Sequence, residues 1–318
     1  MQRISFSDRH SGILLLAFGG PSCLDDVEPF LRHIFADRVL PSSFIDAIRQ
    51  RYRRIGGRSP LPEITRRQAL ALQESLFEAG RRINVFIGMR HWKPSIEAAF
   101  RLLEANDIQR VFCLIMAPFS SAAAVGAYHD AVHEAKRNLK KKMDISFVTG
   151  WYTTPYYLDA VAERIREGLV NFPSPRHPNV RLLFTAHSLP LSALTEDPYT
   201  TQITSTIAGV TDRLKDYSWH LAFQSQGKGC GPWLSPRPEE VLADLAREGV
   251  KEILAVPLGF VADHLETLYD LDISLKERAA ELGLQLQRSP ALNESPKFIT
   301  ALTDAVLRSL AEEEQTAS

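Results

Sequence analysis

The fold of this chain is decided by residues 181–190, Arg181-Leu182-Leu183-Phe184-Thr185-Ala186-His187-Ser188-Leu189-Pro190. A nearly continuous apolar run is typical of a strand buried on both faces of a parallel sheet, and we predict a strand over residues 181–185. His187 follows it directly, and Leu189-Pro190 favours an extended or turn geometry. Open α/β sheets place their chemistry just beyond the carboxyl ends of such strands. His187 is therefore predicted to face a cleft; the alternative is a structural histidine that bonds a loop carbonyl.

Six further segments resemble this strand. They are residues 13–17, 84–88, 111–116, 145–148, 220–223 and 252–256. Amphipathic stretches typical of helices separate them, including residues 64–78 and a helix that Thr154 opens as N-cap, with Pro155 in its first turn. Strands that alternate with helices predict parallel sheets covered on both faces, so the predicted fold class is α/β.

The alternation restarts after the predicted helix at residues 155–170 and the Pro/Ser-rich segment at residues 172–175. We therefore predict an N-terminal α/β domain at residues 1–153 and a C-terminal one at residues 154–295, with a cleft between them. Residues 296–313 are predicted to form a last helix that packs back on the first domain.

Composition excludes several classes of protein. The 318 residues carry a net charge of −1, without the basic surplus typical of nucleic-acid binding. Cys23, Cys113 and Cys230 lie far apart, which argues against a zinc ribbon or a disulfide framework and fits a reducing cytosol. The longest apolar runs fall short of the roughly 20 residues of a membrane helix, and residues 1–12 do not resemble a signal peptide. We expect a cytoplasmic protein without a membrane segment.

A second block, residues 259–269, follows the predicted strand at 252–256 and reads Gly-Phe-Val-Ala-Asp-His-Leu-Glu-Thr-Leu-Tyr. Asp263, Glu266 and Asp270 recur at spacings of three and four, which predicts that they share one helical face. The alternative is a solvated acidic face near a helix start. Like charges in a partly buried row favour a role in cation or proton traffic. A histidine and a carboxylate without a thiolate suit a metal such as Fe²⁺.

Three further features suggest ligand contacts. Phe18-Gly19-Gly20-Pro21 follows the first predicted strand, and its glycines allow close approach of backbone to ligand, although the block is not GxGxxG. Arg51, before the glycine turn at residues 56–61, could meet a ligand carboxylate; a solvated basic helix end is the alternative. Trp233 could stack on a flat ligand, or it could cover a domain core.

Taken together, these blocks resemble the ferrochelatase family, whose members insert Fe²⁺ into a porphyrin. The resemblance covers residues 12–312, and its blocks occur in the family's order. They are residues 18–21, 52–61, 87–90, 186–190, 197–199, 223–226, 232–234, 259–269 and 292–293. The resemblance implies two similar Rossmann-like α/β domains, each with a four-stranded parallel sheet flanked by helices, and a porphyrin in the cleft between them.

The resemblance also assigns roles. It implies that His187 and Glu266 are the catalytic residues and the metal ligands, with Asp263 and Asp270 as a relay for protons or metal. The residues that we expect to contact the porphyrin are Phe18, Arg51, Ser59, Tyr152 and Trp233.

Departures from the family pattern shape the expected chemistry. Phe18 stands where soluble Gram-positive members carry a tyrosine, so an axial protein ligand is lost there. Phe119 stands where those members carry a histidine. Ser274 stands where the acidic row of the family often continues. Some members hold a [2Fe–2S] cluster through C-terminal cysteines, but no cysteine follows Cys230. We therefore expect no tightly bound cofactor, with Fe²⁺ as a substrate.

The porphyrin is the open question within the family. In the family, membrane-associated members that use protoporphyrin IX add a long apolar lip before the block at residues 52–61. The segment between Arg38 and Tyr52 is short here, so the resemblance favours coproporphyrin III, with its propionates bound by Arg51, Ser59 and Tyr152. The block at residues 18–21 looks more like members that use protoporphyrin IX, the next choice. Competing hypotheses are a cobalt or nickel chelatase of another tetrapyrrole and a non-enzymatic heme or porphyrin carrier. The expected partners are the porphyrin, ferrous iron and other heme-pathway enzymes.

Overall fold

The computed structural model describes residues 6–35, 38–172, 179–195, 197–215, 217–227 and 231–316. These residues form two sheets of four strands each, and every strand pair is parallel. The first sheet contains β1 (Ser11–Ala17), β2 (Asn84–Met89), β3 (Arg110–Ile115) and β4 (Asp144–Phe147) in the order β2-β1-β3-β4. The second contains β5 (Arg181–His187), β6 (Trp219–Gln224), β7 (Glu252–Val256) and β8 (Gln285–Arg288) in the order β6-β5-β7-β8.

Helices connect the strands. The α-helices are α1 (Phe6–Arg9), α2 (Val27–Ile34), α3 (Ser42–Arg54), α4 (Leu61–Glu78), α5 (Ile96–Ala105), α6 (Ala127–Arg137), α7 (Pro155–Leu169), α8 (Tyr199–Leu214), α9 (Pro238–Arg247), α10 (Lys276–Glu281) and α11 (Pro296–Thr316). Two π-helical segments, Ala122–Gly126 and Glu266–Leu275, precede α6 and α10, and short 3₁₀ turns occur at Leu24–Asp26, Trp151–Thr153 and Leu191–Ala193. In the described residues, no helix is long and apolar enough to cross a membrane.

The two sheets share part of their core. Alternate residues of β1 point to opposite faces, so Ile13 joins one hydrophobic cluster and Leu14 joins another. The cluster that contains Ile13 also contains Phe184 of β5, together with residues of α4, α7 and α11. Burial of β1 and β5 on both faces explains why their sequences are almost wholly apolar.

The predicted fold class is confirmed. The first half of the molecule, which contains β1–β4, and the second half, which contains β5–β8, are each a four-stranded parallel sheet flanked by helices. The helix predicted from Thr154 is confirmed too, since the Thr154 side chain accepts a hydrogen bond from the Tyr157 amide. β8 escaped prediction because Leu286 is its only buried residue. α11 contacts both α4 and α7, so the last helix packs against both halves. The domain limits at residues 153 and 295 stay predictions, and residues 173–178, within and beyond the predicted linker, lie outside the described residues.

Candidate active site

A cavity of about 600 Å³ lies between the two halves, at the carboxyl ends of the central strands. The first half contributes Phe18, just after β1, and Phe119, beyond β3. The second half contributes His187, at the end of β5, and Glu266, beyond β7. The strand-end rule therefore holds for both sheets, and the cavity is where both sets of side chains meet.

His187 is held in one orientation by its own loop. Its Nδ1 lies 2.6 Å from the Ser188 carbonyl oxygen. Because a carbonyl can only accept, Nδ1 of the neutral ring carries the hydrogen and Nε2 keeps the lone pair. The Tyr199 hydroxyl donates to the His187 carbonyl at 2.9 Å, which fixes the backbone as well. The free Nε2 lies 3.7 Å from Oε2 of Glu266.

Glu266 opens the π-helix Glu266–Leu275, whose wider turns set it apart from α10. The Gln224 side chain donates to the Glu266 carbonyl at 3.1 Å, so β6 also positions this residue. Oε2 of Glu266 is buried and has no hydrogen-bond partner among the described residues. An unpaired buried carboxylate oxygen is costly, so this atom is suited to receive a proton or a cation.

Asp270 lies four residues further along the π-helix. Its carboxylate accepts from the Ser225 hydroxyl at 3.1 Å and lies 3.5 Å from the Arg51 guanidinium. Burial and the nearby Glu266 charge raise the pKa of Asp270 to about 6, against the opposing effects of Arg51 and Ser225. Asp270 also lines a second cavity of about 410 Å³, together with Ser274. A carboxyl group with this pKa can gain or lose a proton near neutral pH, and Asp270 borders both cavities.

The prediction that Asp263 shares this helical face is wrong, because the helix begins only after His264. The Asp263 carboxylate accepts from Asn293 at 2.9 Å and from Thr267 at 3.1 Å, and it lies 3.0 Å from the Arg288 guanidinium. Spacings of three and four cannot show where a helix begins. The relay role of Asp263 stays a prediction.

Three of the five predicted porphyrin contacts line the cavity between the halves: Phe18, Arg51 and Ser59. The Phe18 side chain is partly exposed and packs edge-on against Phe30. Arg51 lies over the Tyr269 ring, with its guanidinium carbon 5.1 Å from the ring centroid. Ser59 is buried, and its hydroxyl accepts from the Leu61 amide at 3.3 Å.

Tyr152 and Trp233 do not line this cavity. The Tyr152 ring instead packs against Phe119, which lines the cavity, with 6.3 Å between the ring centroids. Trp233 pairs with Pro190 in an isolated β-bridge and packs against Gly227. The interpretation of Trp233 as a loop tryptophan that covers neighbouring structure fits this position better than a direct stack on a ligand.

Several cavity residues were not predicted from the sequence, notably Gln68, Arg90 and His264. Gln68 had a signal, since it is a polar residue on the buried stripe of α4 between Ile64 and Leu72. His264 lies within the quoted acidic block, and burial lowers its pKa.

The described residues contain no group of three or more histidine, cysteine, aspartate and glutamate side chains that could hold a metal ion. Burial raises the pKa of the Cys113 thiol to about 12, which disfavours the thiolate that a cluster would need. Cys23 is exposed, and Cys230 lies outside the described residues. The expected lack of a bound cofactor stays a prediction.

Comparisons with known proteins agree with this geometry. A family model described as ferrochelatase matches residues 10–310. The chain is 38% identical to a protein named ferrochelatase from Deinococcus radiodurans, over 95% of this chain and 96% of that one. It is 40% identical to a protein of the same name from Geotalea uraniireducens, over 95% of this chain and 99% of that one.

A structure described as SirB from Bacillus subtilis with Fe³⁺ matches with a TM-score of 0.57, over 96% of this chain and 97% of that one, at 14% identity. Such a distant likeness concerns the fold alone. The family model and the relatives cover nearly the whole chain. The chain therefore belongs to the ferrochelatase family and is a metal chelatase, a lyase that inserts a metal ion into a porphyrin.

Proposed function

We propose that this enzyme inserts Fe²⁺ into a porphyrin bound in the 600 Å³ cavity, with His187 and Glu266 handling the metal and the protons. The observation that carries this proposal is the 3.7 Å separation of His187 Nε2 and Glu266 Oε2 at the cavity wall. Two ligands that each bind a divalent ion at roughly 2.1 Å lie about 3–3.5 Å apart. A small movement would therefore let this pair hold one ion.

Insertion requires that two pyrrole protons leave as the metal enters. Nε2 of His187 has one lone pair, so it can accept a proton or bind the metal, but it cannot do both at once. The carboxylate of Glu266 stabilises the imidazolium that forms when His187 takes a proton. Asp270, with its pKa near 6, passes protons on to the second cavity.

The first half supplies the binding surface for the flat macrocycle. Its share of the lining is largely apolar and includes Phe18, Phe30, Met116 and Phe119. Burial of the porphyrin faces against such side chains stabilises the complex by roughly 25 cal/mol for each Å² removed from water. The reacting centre then faces His187 and Glu266 on the opposite side.

Coproporphyrin III is the first candidate for the porphyrin. Only residues 35–41 connect α2 to α3, and we expect such a short connection to leave four charged propionates in contact with water. Arg51, which is about half exposed, and Ser59 line the cavity and can bind propionate oxygens.

Protoporphyrin IX is the second candidate, because apolar residues of α2 and α3 and their connection line the same cavity. Phe35, Phe44 and Ile48 form this part of the wall, and they suit vinyl groups better than the additional propionates of coproporphyrin III. We further propose that the reaction takes place in the cytoplasm, with other heme-pathway enzymes supplying the porphyrin and accepting the product.

The test is an anaerobic insertion assay with purified protein, Fe²⁺ and each porphyrin in turn, followed by absorbance. Faster insertion into coproporphyrin III supports the first candidate, and faster insertion into protoporphyrin IX replaces it with the second. Turnover with Co²⁺ or Ni²⁺ and another tetrapyrrole, but not with Fe²⁺, would contradict iron insertion. Tight porphyrin binding without any insertion would indicate a carrier.

A further inference from the structure

Gln68 joins the two halves of the molecule. It lies on α4 in the first half, and its side chain is fully buried. Its Nε2 donates to two carbonyls of the second half, Asn293 at 2.8 Å and Val261 at 3.2 Å. Because both partners can only accept, the amide cannot be flipped without losing both hydrogen bonds.

The hydrogen bonds continue from Gln68 towards Glu266, which together with His187 forms the proposed pair of metal ligands (the metal pair). The side chain of Asn293 accepts from the Asp263 amide and donates to the Asp263 carboxylate, both at 2.9 Å. The Thr267 hydroxyl donates to that carboxylate at 3.1 Å and accepts from the His264 amide at 3.0 Å. The network therefore runs from α4 to the residue next to Glu266.

The oxygen of the Gln68 amide also suggests that its N–H donors are the reason for a glutamine here. Oε1 of Gln68 is buried without a hydrogen-bond partner among the described residues, and Gln68 lines the porphyrin cavity. An unpaired buried acceptor is costly, and a nonpolar side chain of similar volume would avoid that cost. The two N–H donors are what a glutamine provides here and a methionine does not.

We infer that Gln68 is a positioning residue, which sets the place of Glu266 relative to the porphyrin-binding half. This inference rests on the proposed role of Glu266 in handling the metal. The first half holds the porphyrin and the second holds the metal pair, so any slip between them misplaces the reacting atoms, and rates are sensitive to such errors. The ion pairs Arg54–Glu277 and Arg67–Glu294 also link the halves, but they are exposed and therefore weak.

The first test is Gln68→Met, which keeps the volume and removes both donors. We expect kcat/KM for Fe²⁺ to fall about tenfold, the lower range for residues that orient metal ligands. Asn293→Ala should produce a similar loss. Because both residues belong to one network, kcat/KM for Fe²⁺ should be little lower in the double variant than in either single variant.

The matched control is Gln73→Met on the same helix. Oε1 of Gln73 accepts from the Val85 amide at 2.9 Å, a hydrogen bond made wholly within the first half. This variant should lower the melting temperature without changing the KM for Fe²⁺. If Gln68→Met does not fold, Thr267→Val interrupts the network at its other end with little change of shape, and it must raise the KM for Fe²⁺.

Co²⁺ binding by the porphyrin-free protein, followed by calorimetry, separates the two claims. Unchanged Co²⁺ affinity in Glu266→Gln would contradict the proposed function itself. Weaker binding in Glu266→Gln, together with wild-type kcat/KM for Fe²⁺ in folded Gln68→Met, would overturn only the positioning role. Losses that multiply in the Gln68/Asn293 double variant would overturn it as well, because the two residues would then act separately.

Discussion

The two halves of this molecule have the same sheet topology and opposite chemistry at their strand ends. β1 and β5 occupy equivalent places in the orders β2-β1-β3-β4 and β6-β5-β7-β8. Phe18 follows β1, whereas His187 ends β5. Phe119 lies beyond β3, whereas Glu266 lies beyond β7. The fold thus provides two equivalent positions facing one cavity, and the residues placed there decide whether each half binds a flat apolar ligand or handles metal and protons.

The largest expected effect comes from removing the carboxylate of the second half. We expect Glu266→Gln to lower the rate of metal insertion by about 100-fold, because the amide can neither accept a proton nor bind a cation as a carboxylate does. Initial rates under anaerobic conditions measure this loss. Glu277→Gln is the control, since it removes a carboxylate on α10 that pairs only at the surface. Equal losses in both variants would contradict a special role for Glu266.

A smaller effect is expected from the equivalent position of the first half. Phe18→Ala removes an apolar side chain that is 41% exposed and lines the cavity. We expect porphyrin affinity to fall by about 1–1.5 kcal/mol, roughly tenfold, as measured by quenching of tryptophan fluorescence. Phe77, 43% exposed on the same half but outside the cavity, gives the matched control Phe77→Ala. Porphyrin binding that is weakened equally by both changes would contradict a specific role of Phe18 in holding the porphyrin.

The buried carboxylate Asp270 of the second half also predicts that stability depends on pH. Asp270 has a pKa of about 6 when folded and an ordinary value of 3.8. Between these values the folded state binds more protons than the unfolded state, so stability falls as pH rises through this range and stays lower above it.

Asp270→Asn removes the charge that lowers the stability of the folded protein at higher pH. We expect the free energy of unfolding in metal-free buffer to rise by about 1 kcal/mol at about pH 7.5, after allowance for the weakened contact with Arg51, and not to rise at about pH 4. Urea titrations at both pH values measure it, with the exposed surface carboxylate Asp46→Asn as control. A gain of the same size at both pH values would show that Asp270 is not the titrating group.

The smallest effects are expected at two residues outside the cavity lining. Because Tyr152 and Trp233 do not line the cavity, we expect Tyr152→Phe and Trp233→Phe to leave the KM for porphyrin within about twofold of the wild type. Steady-state kinetics with both porphyrins give the comparison. A tenfold rise in either variant would restore direct contact as the better interpretation.

Much of the fold could be predicted because buried parallel strands have a distinctive composition. The apolar runs of β1, β3, β5 and β7 are long enough to recognise. β8 could not be found in this way, because it lies at a sheet edge and buries only Leu286.

The site was predicted less completely, for reasons that concern local geometry. The spacing of Glu266 and Asp270 suits a π-helix as well as an α-helix, and only the structure shows that Asp263 precedes the helix. The hydrogen bond from His187 to Ser188 fixes the ring tautomer through a backbone carbonyl, which leaves no signature in the sequence. Gln68 was recognisable only as a polar residue on an apolar stripe, and its partners are about 200 positions away.

The most direct test of the contrast between the halves measures porphyrin binding and metal insertion in the same variant, His187→Ala. If the second half supplies the chemistry, fluorescence titration should give a porphyrin Kd within about threefold of the wild type. Anaerobic Fe²⁺ insertion should fall by about 100-fold or more. Insertion at the wild-type rate, or a loss of porphyrin binding that accounts for the whole loss of activity, would contradict the account.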